Sequence, residues 1–132
     1  MLELSLSKNI KKEKMVQTRV VTLAEQGPPS VMTLNTVTIA PPRDDEVQIK
    51  QNVIGFNYMD IYQRSGLYPL ELPSGIGLEA AGTIQDIGKN VTEFRLGDRV
   101  AYATAPQGAY AEYRNFPAAR VVHLPDEMSD EK

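Results

Sequence analysis

Residues 46–55 alternate. Val47, Ile49, Gln51 and Val53 fall on one side of an extended chain, and Gln48, Lys50 and Asn52 on the other. A period of two marks a half-buried strand, because successive side chains of a strand point to opposite faces. Segments of the same kind recur at 18–23, 31–39, 81–87, 100–103, 108–113 and 120–124, each short and alternating or rich in β-branched residues. Turn clusters separate them: Gln26-Gly-Pro-Pro-Ser30, Pro41-Pro-Arg-Asp-Asp45 and Gly88-Lys-Asn90. Long helices do not alternate with these strands, which excludes a doubly wound sheet. The expectation is a mainly β barrel or sandwich.

One short helix interrupts the pattern. Asn57 supplies a cap, Tyr58, Ile61, Tyr62 and Ser65 recur at helical spacing, Asp60 takes the third position and Gly66 is the stop. Residues 67–74, broken by Pro69 and Pro73, read as loop. A length of 132 residues fits one domain. With no cysteine, disulfides, thiolate nucleophiles, iron–sulfur clusters and Cys-containing zinc sites are excluded, and a single histidine builds no His-rich metal site. A net charge of −3 leaves no basic footprint for nucleic acid, and no apolar run is long enough to span a membrane.

The two ends differ from the middle. In residues 1–14, Leu2, Leu4 and Leu6 precede Lys8, Lys11, Lys12 and Lys14. A secretion signal has the charge first and an unbroken apolar stretch after it, so this order points to a cytoplasmic protein. Residues 1–14 are expected to be a disordered extension or tag, with an extra edge strand as the alternative. Residues 15–128 form the expected domain. Ser129, Asp130 and Glu131 read as the opening of a helix, so residues 129–132 are expected to start a connection to a further domain.

Several motifs have more than one reading. Gly75-Ile-Gly77-Leu-Glu-Ala80 satisfies a relaxed dinucleotide pattern, but that chemistry needs a strand before it and a helix after it. A Pro-broken loop precedes it and a β-like stretch follows, so the glycines are assigned to a sharp turn and close packing. Asn90-Val-Thr92 is a polar turn that happens to match a glycosylation sequon. His123 reads as a surface or packed residue, having no nameable partner. Asn57, Asp60, Tyr62, Arg64 and Tyr68 form the most polar, aromatic-bearing segment. They read either as cap, Asp60–Arg64 pair and packed rings, or as an amide and two phenols lining a cleft for a planar ligand.

The ordered set 53–62 (Val-Ile-Gly-Phe-Asn-Tyr-Met-Asp-Ile-Tyr), Arg64-Ser-Gly-Leu-Tyr-Pro69, Leu72-Pro-Ser-Gly-Ile-Gly-Leu-Glu-Ala-Ala-Gly82, Gly97-Asp-Arg-Val100 and Gly108-Ala-Tyr-Ala111 resembles the quinone oxidoreductase branch of the medium-chain dehydrogenase/reductases, which includes zeta-crystallin. The resemblance runs from about Met15 to Lys132. It implies a GroES-like, partly open β-barrel with a short helix. It also implies that the family's Rossmann domain, with its true glycine-rich loop, is absent from this chain.

The resemblance implies chemistry as well. Zinc-dependent relatives carry a cysteine ligand where this chain has Asn57 and a histidine where it has Leu78, so the implied reaction uses no metal. Relatives in this branch often have Thr at the position of Leu78. The implied cofactor is NADPH, the implied substrate a small quinone or enone, and the implied assembly of the complete enzyme a homodimer. By position, Asn57, Asp60 and Tyr62 are the cofactor-side residues, and Tyr62 and Tyr68 the catalytic ones. Asp60 mainly supports the helix and the tyrosines. No general acid is assigned, since a quinone takes its protons from solvent. Two other functions compete: a free-standing GroES-like binding module without redox activity, and part of an enoyl-thioester reductase.

Overall fold

The computed structural model describes residues 15–131; the expected extension at 1–14, and Lys132, lie outside the described residues. Two antiparallel sheets form. In the first, β1 (Val16–Leu23) pairs along its full length with β2 (Met32–Ile39) and on its other edge with the two-residue β4 (Ser74–Gly75). The second runs in the order β7 (Tyr113–Pro117), β3 (Glu46–Gly55), β5 (Glu79–Ile87), β6 (Arg99–Ala103), β8 (Val122–His123). The sheets touch where Val20 bridges Ala111, with the Val21 N–H donating to the Tyr110 carbonyl at 2.9 Å. Neither sheet closes on itself, which gives the partly open barrel.

Strand β3 shows why. It lies between β7 and β5, and its Val47 and Ile49 are fully buried, as the alternation predicts. They pack with Ile84, Phe94, Val100 and Phe116 in one core, where Tyr102 stacks on Phe116 at 4.1 Å. Gln48, on the face expected to be wet, is also buried. Its Nε2 donates to Asn115 Oδ1 at 3.1 Å, which meets the need of a polar group removed from water.

Helix α1 (Tyr58–Ser65) follows β3 after two residues. Asn57 is its cap, with extended backbone, and joins Asp60 in a capping box: the Asn57 side chain faces the Asp60 N–H, while the Asp60 carboxylate accepts the Asn57 N–H at 3.1 Å. Gly66, at φ +97°, ends the helix in the left-handed conformation that glycine reaches without penalty. The buried residues of α1 are Asp60 and Gln63, not its apolar ones.

Three expectations need correction. The Asp60–Arg64 pair does not form. Arg64 donates to the Gly27 carbonyl at 2.6 Å and Asp60 turns to Tyr110, so each finds a partner off the helix surface. The strand expected at 108–113 is displaced to β7. Residues 108–112 instead cross between the sheets, with Gly108 and Tyr110 N–H groups donating to Gly77 and Ile76 carbonyls at 3.0 Å each. The strand expected at 120–124 shrinks to β8, because a 3-10 turn occupies Ala118–Arg120. The glycine motif behaves as read. Gly77 has φ +95°, a Cβ there would lie 2.5 Å from the Tyr110 ring, and β5 follows it, not a helix.

Candidate active site

A cleft of about 490 Å³ lies along β3, β5 and β6. Its lining is mostly apolar, with Ala101, Val122 and Met128 among it, and carries the charged residues Glu79, Arg120, Asp130 and Glu131, of which Glu79 lies near the end of β3. Glu79 opens β5, and its carboxylate lies over Gly55: a Cβ added at Gly55 would fall 2.3 Å from Glu79 Oε2. Asn57 Nδ2 faces Glu79 Oε1 at 3.5 Å. Through this contact the cleft meets the N-terminus of α1.

The other end of the cleft is walled by residues 124–131. Arg99 holds this segment: it donates to the Met128 carbonyl, to Asp130 Oδ1 at 2.7 Å and to the Pro125 carbonyl at 3.4 Å. Asn52 adds a hydrogen bond to Asp130 Oδ2 at 3.0 Å. The hydrogen bonds from Arg99 and then Asn52 hold the Asp130 carboxyl below the usual aspartate range.

Beside the cap, three phenols gather. Tyr62 stacks on Tyr58 at 6.5 Å and meets Tyr68 edge-on at 5.4 Å. The Tyr62 and Tyr68 hydroxyls have no hydrogen-bond partner among the described residues, which leaves both groups free for a ligand. Tyr68 is also sewn to the β1–β2 connection, since Gln26 Nε2 donates to the Gln63 and Tyr68 carbonyls at 2.8 and 2.9 Å.

Behind these groups lies a buried polar frame. Asp60 Oδ2 accepts the Tyr110 hydroxyl at 2.7 Å, and Asp60 Oδ1 has no partner. Burial, the hydrogen bond to Asp60 and the Asp60 charge push the Tyr110 hydroxyl well above its usual range. Gln51 Nε2 donates to the Ala109 and Ala111 carbonyls at 2.8 and 2.7 Å, and Gln51 Oε1 accepts the Tyr102 hydroxyl. Burial raises the Tyr102 hydroxyl as well, against the opposing charge of Arg114.

The sequence-selected residues therefore divide. Tyr62 and Tyr68 are in contact, and Asn57 caps the helix that carries Tyr62 and faces Glu79 of the cleft lining. Asp60 is buried and committed to Tyr110 and the cap, a place from which it holds the helix. Neither Tyr62 nor Tyr68 lines the 490 Å³ cleft itself. Glu79 and Tyr110 went unselected, although Glu79 directly follows Gly77-Leu78, where the zinc-dependent relatives carry a ligand.

Residues 43–126 match the alcohol dehydrogenase GroES-like domain. The chain belongs to that family. This GroES-like domain is 44% identical over 113 residues to a quinone oxidoreductase of Pseudomonas aeruginosa, covering 85% of this chain and 35% of that protein. It superposes on an Escherichia coli quinone oxidoreductase solved in complex with NADPH at a TM-score of 0.82 and 41% identity, covering 86% of this chain and 35% of that one. A quinone oxidoreductase of Pseudomonas syringae pv. Tomato gives the same TM-score, 0.82, and the same identity, 41%. The domain spans about a third of the length of these quinone oxidoreductases.

Proposed function

We propose that this GroES-like domain is the substrate-side half of an NADPH-dependent quinone or enone reductase that works without zinc. The observation behind this reading is Asn57, which caps the helix that carries Tyr58 and Tyr62 and faces Glu79 of the cleft lining. It occurs in a chain 41% identical to a quinone oxidoreductase solved with NADPH.

The donor set fits one end of the cofactor. Asn57 offers an amide, and the apolar cleft walls suit a flat ring. The pyrophosphate end finds no cradle at Gly77, where the Tyr110 ring fills the space. Those phosphates would be held outside this chain. When bound, the dihydronicotinamide supplies a hydride. The residues of this domain do the rest. Asn57 donates a hydrogen bond to a carbonyl oxygen, and the Tyr62 and Tyr68 rings border a planar acceptor with their hydroxyls free to orient it. The apolar walls exclude water. The reaction balances as one hydride from NADPH and one proton from solvent, giving NADP⁺ and the hydroquinone. Asn57 and Leu78 supply neither thiolate nor imidazole, so these two positions offer no zinc ligand of the kind the zinc-dependent relatives use there.

The test is steady-state NADPH oxidation by the complete enzyme with a small quinone, before and after dialysis against a chelator. Sustained turnover unaffected by chelation is expected. Absence of turnover with quinones and enones, or a loss on chelation that zinc restores, overturns the reading.

A further inference from the structure

Asn57 is constrained on several sides. Its backbone N–H goes to the Asp60 carboxylate, its side chain faces the Asp60 N–H, and its Nδ2 faces Glu79 Oε1 at 3.5 Å. An ionised carboxylate accepts hydrogen bonds and donates none, so Glu79 admits only the nitrogen end of the amide. Glu79 is itself seated by a missing side chain. A Cβ at Gly55 would come within 2.3 Å of Glu79 Oε2 and 2.5 Å of its Cδ.

We infer that Glu79 is a positioning residue: seated over Gly55, it joins the Asp60 N–H in holding the Asn57 carboxamide with its nitrogen toward the cleft, and leaves the second Nδ2 hydrogen to meet a ligand's carbonyl oxygen. This rests on the reductase reading above. It adds a selection rule, because an amide turned the other way would present an acceptor and favour a ligand N–H or O–H. The carbonyl oxygen has two sources, the reducible substrate and the carboxamide of the cofactor.

Three variants of the complete enzyme test this: Glu79→Ala, Glu79→Gln and Gly55→Ala. Glu79→Ala removes the acceptor. Gly55→Ala keeps the carboxylate but pushes it aside, and the atoms displaced are the far end of a flexible side chain, so the strand persists. Both are expected to lower kcat/KM for quinone about two- to tenfold, the range one orienting hydrogen bond supports, with unchanged thermal midpoints. Glu79→Gln keeps an acceptor oxygen and is expected to recover most of the loss. A loss confined to quinone KM or kcat places the oxygen on the substrate, and weaker NADPH binding places it on the cofactor. If Glu79→Gln is as impaired as Glu79→Ala, or Gly55→Ala behaves as wild type, the inference falls.

A second readout does not depend on turnover. In nitrogen-15 spectra of the 132-residue chain, Glu79→Ala is expected to shift the Asn57 side-chain NH₂ pair and speed its exchange. An unchanged Asn57 pair refutes the inference even if the wild type reduces quinones. A wild type that reduces none sinks the reductase reading and leaves the spectral result to decide this one.

Discussion

Tyr110 donates its hydroxyl to Asp60 at 2.7 Å across 50 positions of sequence, and that one hydrogen bond ties the segment crossing between the sheets to the first turn of α1. Asp60 Oδ2 also accepts the Asn57 N–H, so the crossing segment and the cap share an oxygen.

Replacing Tyr110 with Phe removes a donor from a buried carboxylate whose other oxygen is already unpartnered. A buried polar group left short of a partner costs about 1–3 kcal/mol. The Tyr110→Phe chain should therefore melt several degrees lower than wild type in calorimetry. An unchanged melting temperature would show that Asp60 is satisfied some other way.

The same pair predicts an alkaline limb. The folded Tyr110 holds its proton more tightly than an unfolded tyrosine, whose pKa is about 10. A raised folded pKa contributes stability that is fully present below the unfolded pKa and is lost as pH climbs above it. Urea midpoints should fall above about pH 10. The fall should be shallower in Tyr110→Phe, and it should not vanish, because Tyr102 is raised in the same direction. Parallel profiles for the two chains would contradict the assignment.

In the complete enzyme, Tyr62→Phe and Tyr68→Phe should each reduce quinone turnover about two- to tenfold, the value of one orienting hydrogen bond. Neither hydroxyl has a hydrogen-bond partner among the described residues and the edge-on ring contact at 5.4 Å survives the change, so melting should barely move. Full activity in both variants would make these tyrosines packing residues only.

Arg99→Ala should release the wall of the cleft without unfolding the sheet. Arg99 grips residues 125–130 through three backbone carbonyls and the Asp130 carboxylate. Amide exchange at 126–131 should accelerate while that of β3 and β5 stays slow. Because the Asp130 pKa is lowered, its share of the clamp is present above the unfolded aspartate value of about 3.9 and is lost as pH falls below it. Wild-type exchange there should approach that of the variant in acid. Uniform acceleration across the domain would mean that Arg99 supports the whole fold.

The isolated 132-residue chain should bind NADPH too weakly for saturation in the micromolar range, since Gly77 offers no phosphate cradle. Calorimetric titration decides this. A tight complex would overturn the division of the cofactor between this chain and another domain.

Period-two alternation made β1, β2, β3 and β5 legible, and cap and stop residues made α1 legible, because these signals are local. The displaced strand has a non-local cause. The run Gly108-Ala-Tyr-Ala111 looks extended in isolation, but its hydrogen bonds go to Ile76, Gly77 and β1, so it crosses the sheets and never joins a ladder. Buried Gln48 and half-buried Gln51 were unreadable for a like reason: their partners, Asn115, Ala109 and Ala111, lie 58 to 67 positions away. Within the site, Asn57 and the tyrosines could be picked out by their clustering in one short stretch. Glu79 could not, because its place depends on the absence of a side chain at Gly55, 24 positions earlier on the neighbouring strand.

The site straddles a seam. Tyr68 hangs from the β1–β2 connection through Gln26, whereas Glu79 is built into the five-stranded sheet. The spacing between the two sides is therefore set where the sheets meet, and the Val20–Ala111 bridge is one of the contacts there. A substitution at that seam is expected to be felt at the site without touching any residue that lines the cleft.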